Sequence, residues 1–188
     1  IKWYRTYYNK CIVNNTKRNE LCADFLHDAV SKNKLSIAFF RDVSTHIGNV
    51  EKILARIGVN KKDYTTITGS TPGGKRGDIL EKFSNGYYKL LLLSVGVAGE
   101  GMDLSGDCSF GINFSGGLSE IEIRQKLGRL LRKPKTKTGD INPNVEFKVQ
   151  YIDPFDRMHK VLLKHSAERY NVYKSESAFR CHYVPEEE

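Results

Sequence analysis

Hydrophobic positions along this chain follow two patterns, continuous apolar runs and apolar residues repeated every three to four positions. Continuous runs of about four to eight residues are typical of buried strands, and the periodic stretches match one face of a helix. Strands are predicted at 35–40, 64–68, 88–95, 108–114 and 145–152, after a shorter apolar run at 10–13. The segment from Leu90 to Leu93 is apolar throughout, which favours a central strand covered on both faces.

Helical periodicity fills the segments between the predicted strands. Asn15, Ser44 and the pair Ser119 and Glu122 match the residues that cap helices at their amino ends, and another helix is predicted from Asp156 onward. Strands separated by helices predict an α/β fold: an open, mainly parallel sheet with helices on both faces. In such folds ligands bind beyond the carboxyl ends of the strands. The loops after the predicted strands should therefore share one functional edge.

The length of 188 residues fits one ordinary domain. We assign residues 1–174 to this domain and 175–188 to a weakly patterned tail. The formal net charge of +8 suits a polyanion such as nucleic acid, although a solvated basic surface would give the same value.

The remaining composition excludes several classes of protein. The four cysteines form no Cys-x-x-Cys pair and the five histidines are scattered, so we expect reduced thiols and no metal site. No segment approaches the ~20 apolar residues of a membrane-spanning helix. We expect a cytoplasmic protein, in the host cytoplasm if it is viral.

The most informative segment is the predicted helix at 125–132. Helical spacing places Gln125, Gly128, Arg129 and Arg132 on one face. Planar guanidinium groups bind phosphate oxygens bidentately, and Gly128 removes bulk between them at about 1 kcal/mol of helix propensity. This face indicates a polyphosphate site, while a basic surface helix is the alternative.

Two glycine-rich loops follow predicted strands. Residues 94–104 contain three glycines, which allow close approach to a phosphate or ribose, and Asp103 is a candidate acceptor for a ribose hydroxyl. A plain turn capped by Asp103 is the alternative. Residues 69–76 nearly match a nucleotide P-loop, but Arg76 replaces the hydroxyl that would bind Mg²⁺ and Pro72 lacks an amide donor. A loop that offers amides and basic groups to a nucleic-acid backbone fits better.

Together these segments resemble the C-terminal RecA-like motor domain of superfamily-2 helicases and translocases. Residues 125–132 resemble motif VI of that family, residues 94–104 motif V, and residues 35–40 motif IV, while Thr68, Gly69, Arg76 and Phe83 resemble the block between motifs IV and V. The likeness runs in order over roughly residues 10–155 and is greatest to the branch-migration and repair-type helicases of phages.

The resemblance implies a role for each matching residue. Arg129 and Arg132 would reach the γ-phosphate of ATP, Gln125 would position the attacking water or the phosphate, and Gly128 would belong to the nucleotide site. Gly101 and Asp103 would line its ribose side. The residues implied to contact the nucleic-acid backbone are Ser94, Thr68, Gly69 and Arg41.

The chain also departs from the pattern of a complete motor. The Walker A lysine and the Asp-Glu pair that organise Mg²⁺ are not found, and Asp153, which could imitate a Walker B aspartate, is followed by Pro154. We therefore expect half of an ATPase cleft, inactive alone. ATP and Mg²⁺ would bind mainly to an N-terminal lobe of the same polypeptide, and the other partner would be DNA or RNA. A self-contained P-loop NTPase or kinase using residues 69–76, or a non-catalytic nucleic-acid-binding domain, remain alternatives.

Overall fold

The computed structural model describes residues 2–98, 108–130 and 148–184. Within these ranges five strands form one sheet, and every neighbouring pair is parallel. The strands are β1 Leu35–Phe40, β2 Tyr64–Ile67, β3 Leu90–Ser94, β4 Cys108–Asn113 and β5 Gln150–Ile152, in the spatial order β2-β3-β1-β4-β5. The predicted open parallel sheet is therefore confirmed, and the apolar run from Leu90 lies inside it.

Helices occupy the segments between the strands of the described ranges. They are α1 Lys2–Tyr8, α2 Thr16–Ser31, α3 Thr45–Arg56, α4 Gly73–Ser84, α5 Val95–Ala98, α6 Glu120–Leu130 and α7 Lys160–Lys174. A π-helix at Asn9–Val13 continues α1, and a 3-10 turn at Lys61–Asp63 precedes β2. The apolar run at 10–13 is thus helical rather than extended.

Alternation along the strands divides the interior into two cores, one on each face of the sheet. Ala38 and Phe40 of β1 pack with the apolar faces of α2 and α3. Ile37 and Phe39 point the other way and pack with Leu130 of α6 and the apolar side of α4. Complete burial of one such large side chain stabilises the fold by about 1.5–3 kcal/mol. The predicted helices on both faces are confirmed.

A third, smaller cluster joins the amino-terminal helix to α7. Tyr8, Ile12 and Val13 pack with Leu162 of α7. The Tyr8 hydroxyl also donates to the carbonyl oxygen of Ser115 at 2.7 Å, just beyond the carboxyl end of β4. This contact fixes α1 at the edge of the sheet where the sequence predicts ligands to bind.

The helix starts follow the predicted caps only in part. Asn15 caps α2 by accepting from the amide of Arg18 at 3.1 Å. Ser44 occupies the N-cap position of α3, as predicted, but its side chain makes no capping bond. The Asp42 carboxylate accepts from the amides of Thr45 and His46 instead. Likewise α7 begins at Lys160 rather than near Asp156.

The remaining predictions about composition concern cysteines, metals and membranes. All four cysteines are free, and Cys11, Cys22 and Cys108 are buried. Across the described ranges, no group of three potential metal ligands comes together. In that same part of the chain, every helix is too short or too polar to cross a membrane.

Candidate nucleotide and nucleic-acid site

Helix α6 separates its side chains into a buried stripe and an exposed face. Ile123, Lys126, Leu127 and Leu130 are buried, at the spacing of one helical face. Gln125 and Gly128 are exposed, as the phosphate-binding prediction requires. Arg129 belongs to α6 through its backbone, whereas its side chain and the whole of Arg132 lie outside the described residues.

The position of α6 depends on its close approach to β4. A Cβ atom built at Gly111 would lie 2.4 Å from Cδ1 of Leu130 and 2.9 Å from Cδ2 of Tyr151. Real Cβ atoms do not approach other atoms so closely, so glycine lets the helix rest directly on the strand. Helix α5, which begins the segment predicted as motif V, packs against α6. The two segments predicted to bind nucleotide therefore start side by side.

Lys126 ties the buried side of α6 to the end of β4. Its side chain is almost completely buried, and Nζ donates to Asn113 Oδ1 at 3.0 Å and Ser115 Oγ at 2.6 Å. Burial disfavours the charged amine and lowers the pKa of Lys126 to about 8. An ammonium in the interior is costly unless it is hydrogen-bonded, so these two acceptors determine where α6 can lie.

Asp153, at the end of β5, extends these contacts. Asn113 Nδ2 donates to its carboxylate at 3.2 Å, Arg169 donates two bonds at 2.9 and 3.0 Å, and Tyr173 donates its hydroxyl. Burial alone would raise the pKa of Asp153, but the charge and hydrogen bonds of Arg169 outweigh it and lower the pKa. Asp153, which could imitate a Walker B aspartate, therefore forms an internal ion pair with Arg169.

A second buried ion pair holds the loop after β4. Arg18 Nε donates to Asp156 Oδ1 at 2.6 Å, and its Nη1 donates to the carbonyl oxygen of Phe114 at 3.1 Å. Arg169 Nη1 donates to the carbonyl oxygen of Gly117 at 2.7 Å. We call these connected residues the buried polar network: Lys126, Asn113, Ser115, Asp153, Arg169, Asp156 and Arg18.

The buried polar network was not predicted from the sequence. The one signal in the sequence was Lys126, which shares the buried stripe of α6 with Leu127 and Leu130. A lysine among the apolar positions of an amphipathic helix must find an internal acceptor, because charged side chains are almost never buried without partners. That rule could have predicted a buried acceptor, although not which residue supplies it.

Arg41 lies on the exposed side of the same edge. Its Nη2 forms an ion pair with Glu122 Oε2 at 2.6 Å, and the two side chains are 45% and 29% exposed. The Glu122 amide also donates to Ser119 Oγ at 3.3 Å, which is half of the predicted capping box. The Glu122 carboxylate pairs with Arg41 instead of accepting from the Ser119 amide, which would be the other half of the capping box. Arg41 therefore stands beside the amino end of α6 with part of its guanidinium open to solvent.

The loop between β2 and α4 is organised around Arg76. Arg76 Nε donates to the carbonyl oxygen of Thr71 at 2.8 Å, and Nη2 donates to that of Gly69 at 3.1 Å. The Thr68 amide donates to Thr71 Oγ1 at 3.0 Å. A phosphate cradle turns amide groups inward, whereas this loop turns carbonyl oxygens inward toward a guanidinium.

Three residues predicted to contact nucleic acid lie on adjacent strand ends. Thr68 follows β2, Ser94 ends β3, and Arg41 follows β1, with Ser94 in register with the last residue of β1. Neighbouring strands are about 4.8 Å apart, so the three form a short row along the carboxyl edge. Gly69 is exposed next to Thr68, while Ser94 is only 6% exposed. Gly101 and Asp103 lie outside the described residues.

The five-stranded parallel sheet with helices on both faces has the fold of RecA-like α/β domains. Residues 17–134 match the family model described as the helicase conserved C-terminal domain. Because this match covers more than half of the chain, the chain belongs to that family. No curated protein sequence shows significant similarity to it.

Solved structures share the fold. T4 UvsW aligns with a TM-score of 0.63 and 20% identity, over 90% of this chain and 35% of UvsW. The E. coli DEAD-box protein SrmB, solved bound to the regulator of ribonuclease activity A, aligns with a TM-score of 0.52 and 19% identity, over 83% of this chain and 81% of SrmB. The helicase MrfA, solved bound to DNA, aligns with a TM-score of 0.57 and 13% identity, over 81% of this chain and 19% of MrfA. This chain thus spans about a third of UvsW.

Proposed function

We propose that this chain is the second motor lobe of an ATP-dependent helicase or translocase that acts on DNA or RNA. The observation that carries the proposal is α6, which exposes Gln125 and Gly128 while its buried stripe is anchored through Lys126. Membership of the helicase C-terminal family supports it. ATP would lie between this lobe and an N-terminal lobe of the same polypeptide.

The exposed face of α6 suits the phosphates of ATP. A Cβ atom built at Gly128 would meet no heavy atom within 4 Å, so packing among the described residues does not require glycine there. The amide of Gln125 and the guanidiniums of Arg129 and Arg132 would supply donors on this face, which is the chemistry of an anion site. The one carboxylate a turn earlier, Glu122, is paired with Arg41. Mg²⁺ would take its ligands from the other lobe.

Each residue on this face has a distinct proposed task. Arg129 and Arg132 act as arginine fingers that stabilise negative charge developing on the γ-phosphate, an effect worth roughly 10³–10⁵ in rate in related NTPases. Gln125 orients the attacking water or a phosphate oxygen. Gly101 and Asp103 line the ribose side. Closure of the two lobes brings these groups onto ATP, and opening after hydrolysis releases them.

The nucleic-acid backbone would cross the row of strand ends formed by Thr68, Ser94 and Arg41. Thr68 and Gly69 offer a hydroxyl and backbone groups, and Arg41 offers a partly exposed guanidinium. Lys75 is exposed in the first turn of α4, where helix amides point toward solvent. Such contacts neutralise phosphates without reading sequence, which suits movement along a strand.

The test is substitution of the proposed fingers in the polypeptide that carries both lobes. Arg129→Ala or Arg132→Ala should abolish ATP hydrolysis and leave nucleic-acid binding nearly intact. Arg124→Ala is the matched control, because Arg124 is an exposed arginine of the same helix that pairs with Glu120 and Glu176. The present chain alone should not hydrolyse ATP. Hydrolysis retained in the finger variants, or helicase-like turnover by this chain alone, would contradict the proposal.

The geometry disfavours a self-contained NTPase built on residues 69–76. Arg76 already bonds the carbonyl oxygens of Gly69 and Thr71 on the inner side of that loop. A nucleotide phosphate placed there would face acceptors rather than donors. If this alternative held, the chain alone would bind ATP and Mg²⁺, and Lys75→Ala would remove that binding.

A further inference from the structure

Two exposed aromatic rings of α1 and the partly exposed ring of His159 at the start of α7 form a group outside the proposed motor site. Trp3 is 53% exposed and Tyr7 is 40% exposed. The Tyr7 ring stacks on the His159 ring with centroids 4.0 Å apart, and the Trp3 ring lies 6.4 Å from Tyr7 and 6.2 Å from His159. We call Trp3, Tyr7 and His159 the aromatic surface.

Packing on the opposite side holds this surface in place. Tyr8 and Ile12 bury the inner side of the amino-terminal helix, and the Tyr8 hydroxyl bonds the Ser115 carbonyl. His159 caps α7, since its Nδ1 accepts from the amide of Val161 at 3.2 Å. Trp3 and Tyr7 are one helical turn apart and therefore point the same way. Trp3 and Tyr7 are therefore exposed on a helix that is packed against the domain from its other side.

The two chain segments that carry these rings are basic. Residues 1–19 contain five lysines and arginines and no acidic residue, and residues 157–167 contain three lysines and arginines and no acidic residue. Arg18 is buried with Asp156, whereas the exposed basic residues described in the two segments are Arg5, Lys10, Lys17, Arg157, Lys160 and Lys164. Exposed aromatic rings on a basic segment are the combination that binds single-stranded nucleic acid, in which bases stack on rings while phosphates contact the basic groups. A protein partner would need an acidic surface to match this one.

We propose that the aromatic surface stacks bases of single-stranded nucleic acid, as a contact additional to the motor row. This proposal rests on one part of the proposed function, namely that the chain binds nucleic acid. Tyr8 anchors α1 beside the end of β4, whereas Thr68 follows β2, and these strands are three positions apart in the sheet. At about 4.8 Å per strand, this anchor of α1 lies roughly 15 Å from Thr68 along one edge.

The test uses Trp3, which is the single tryptophan of the chain. Titration with oligothymidylate should quench its fluorescence, because the base stacks on the indole. An abasic oligonucleotide with the same number of phosphates should bind more weakly and quench little. Trp3→Ala and Tyr7→Ala should each weaken binding of oligothymidylate roughly fivefold or more in fluorescence anisotropy, and should leave binding of the abasic strand unchanged.

Tyr87→Ala is the matched control. Tyr87 is 64% exposed with Lys82 Nζ 5.8 Å from its ring centroid, but it precedes β3 at the opposite edge of the sheet. Circular dichroism should show that every variant is folded. If Trp3→Ala does not fold, Tyr7→Ala still tests the contact, because it retains the fluorescence of Trp3. Three outcomes would overturn the aromatic contact alone. They are binding without quenching of Trp3 fluorescence, an equal loss of affinity for both oligonucleotides in the variants, and self-association that depends on Trp3 and Tyr7. No binding of either oligonucleotide would overturn the proposed nucleic-acid function as well.

Discussion

The carboxyl edge of the sheet has two halves that are built differently. In the β2 and β3 half, the loop after Thr68 is held by hydrogen bonds between residues at most eight positions apart, and most of it is exposed. In the β4 and β5 half, the buried polar network joins residues up to 138 positions apart, such as Arg18 and Asp156. The β2 and β3 half is held by contacts between residues close in sequence, whereas the β4 and β5 half is held by contacts between residues far apart in sequence.

This difference separates two tasks of the proposed motor lobe. A local loop with exposed groups can exchange contacts with water for contacts with a ligand without disturbing the core. A buried network cannot, because each charge that loses its partner is left in a low-dielectric interior. The β2 and β3 half is thus suited to transient nucleic-acid contacts, while the β4 and β5 half fixes the helix that would carry the arginine fingers.

The largest expected effect comes from removing the central carboxylate of the network. Asp153→Ala leaves Arg169, Asn113 and Tyr173 without their common acceptor. Loss of one partner of a buried ion pair costs about 3–5 kcal/mol. Urea unfolding of the chain, followed by circular dichroism, measures this loss as a lower transition midpoint.

Asp28→Ala is the control for this measurement. Asp28 pairs with Lys32 on the surface of α2, and the two side chains are 57% and 62% exposed. An exposed pair of this kind contributes about 0.5 kcal/mol or less. If the two variants lost similar stability, the contrast between the halves would fail.

Gly111→Ala tests the contact of α6 with β4. The new Cβ would lie 2.4 Å from Leu130 Cδ1, so the leucine or the whole helix must shift. Overpacking of this kind costs about 1–3 kcal/mol. Gly77→Ala in α4 is the control, because a Cβ there meets nothing within 4 Å. Equal unfolding midpoints for the two variants would show that α6 does not depend on this approach.

The parts that sequence analysis predicted correctly are those whose signals are local. The strand around Leu91 and the helix around Leu127 were found because apolar runs and helical periodicity lie within a few residues. Ser44 holds the predicted N-cap position without the expected side-chain bond, because Asp42, two residues earlier, supplies the oxygen. The buried polar network was missed because the partners of Arg18 and Lys126 are distant in sequence, and only the folded topology brings them together.

Lys126 gives the network a dependence on pH. Burial lowers its pKa to about 8 from the ordinary 10.5. Between those values the unfolded chain holds a proton that the folded chain has released, so the free energy of unfolding should rise with pH, by up to about 1 kcal/mol per pH unit. Lys126→Met lacks this contribution, so the stability of the wild type relative to the variant should increase above about pH 8.

Comparison with the variant is needed because buried cysteines oppose the trend. Burial raises the pKa of Cys22 and Cys108 to about 12, so the unfolded chain releases those protons first and stability falls with rising pH. The wild type and Lys126→Met share this cysteine contribution, so it cancels when their free energies of unfolding are subtracted. Urea unfolding from neutral pH to about pH 10 gives the two curves. A constant difference would mean that Lys126 is not buried as a titrating amine.

The smallest expected change in stability, and of opposite sign, is that of Gly128→Ala. Helix α6 gains up to about 1 kcal/mol when alanine replaces glycine, and a Cβ at this position meets no heavy atom within 4 Å. Packing among residues 2–98, 108–130 and 148–184 therefore gives no reason for glycine here. If ATP phosphates approach this face, the same substitution should lower ATP hydrolysis by the polypeptide with both lobes. Gly77→Ala should raise the unfolding midpoint similarly with hydrolysis unchanged. If a stabilised Gly128→Ala protein still hydrolysed ATP, the phosphates could not bind at this face of α6. Loss of hydrolysis would show that the exposed side of the helix is shaped for a ligand.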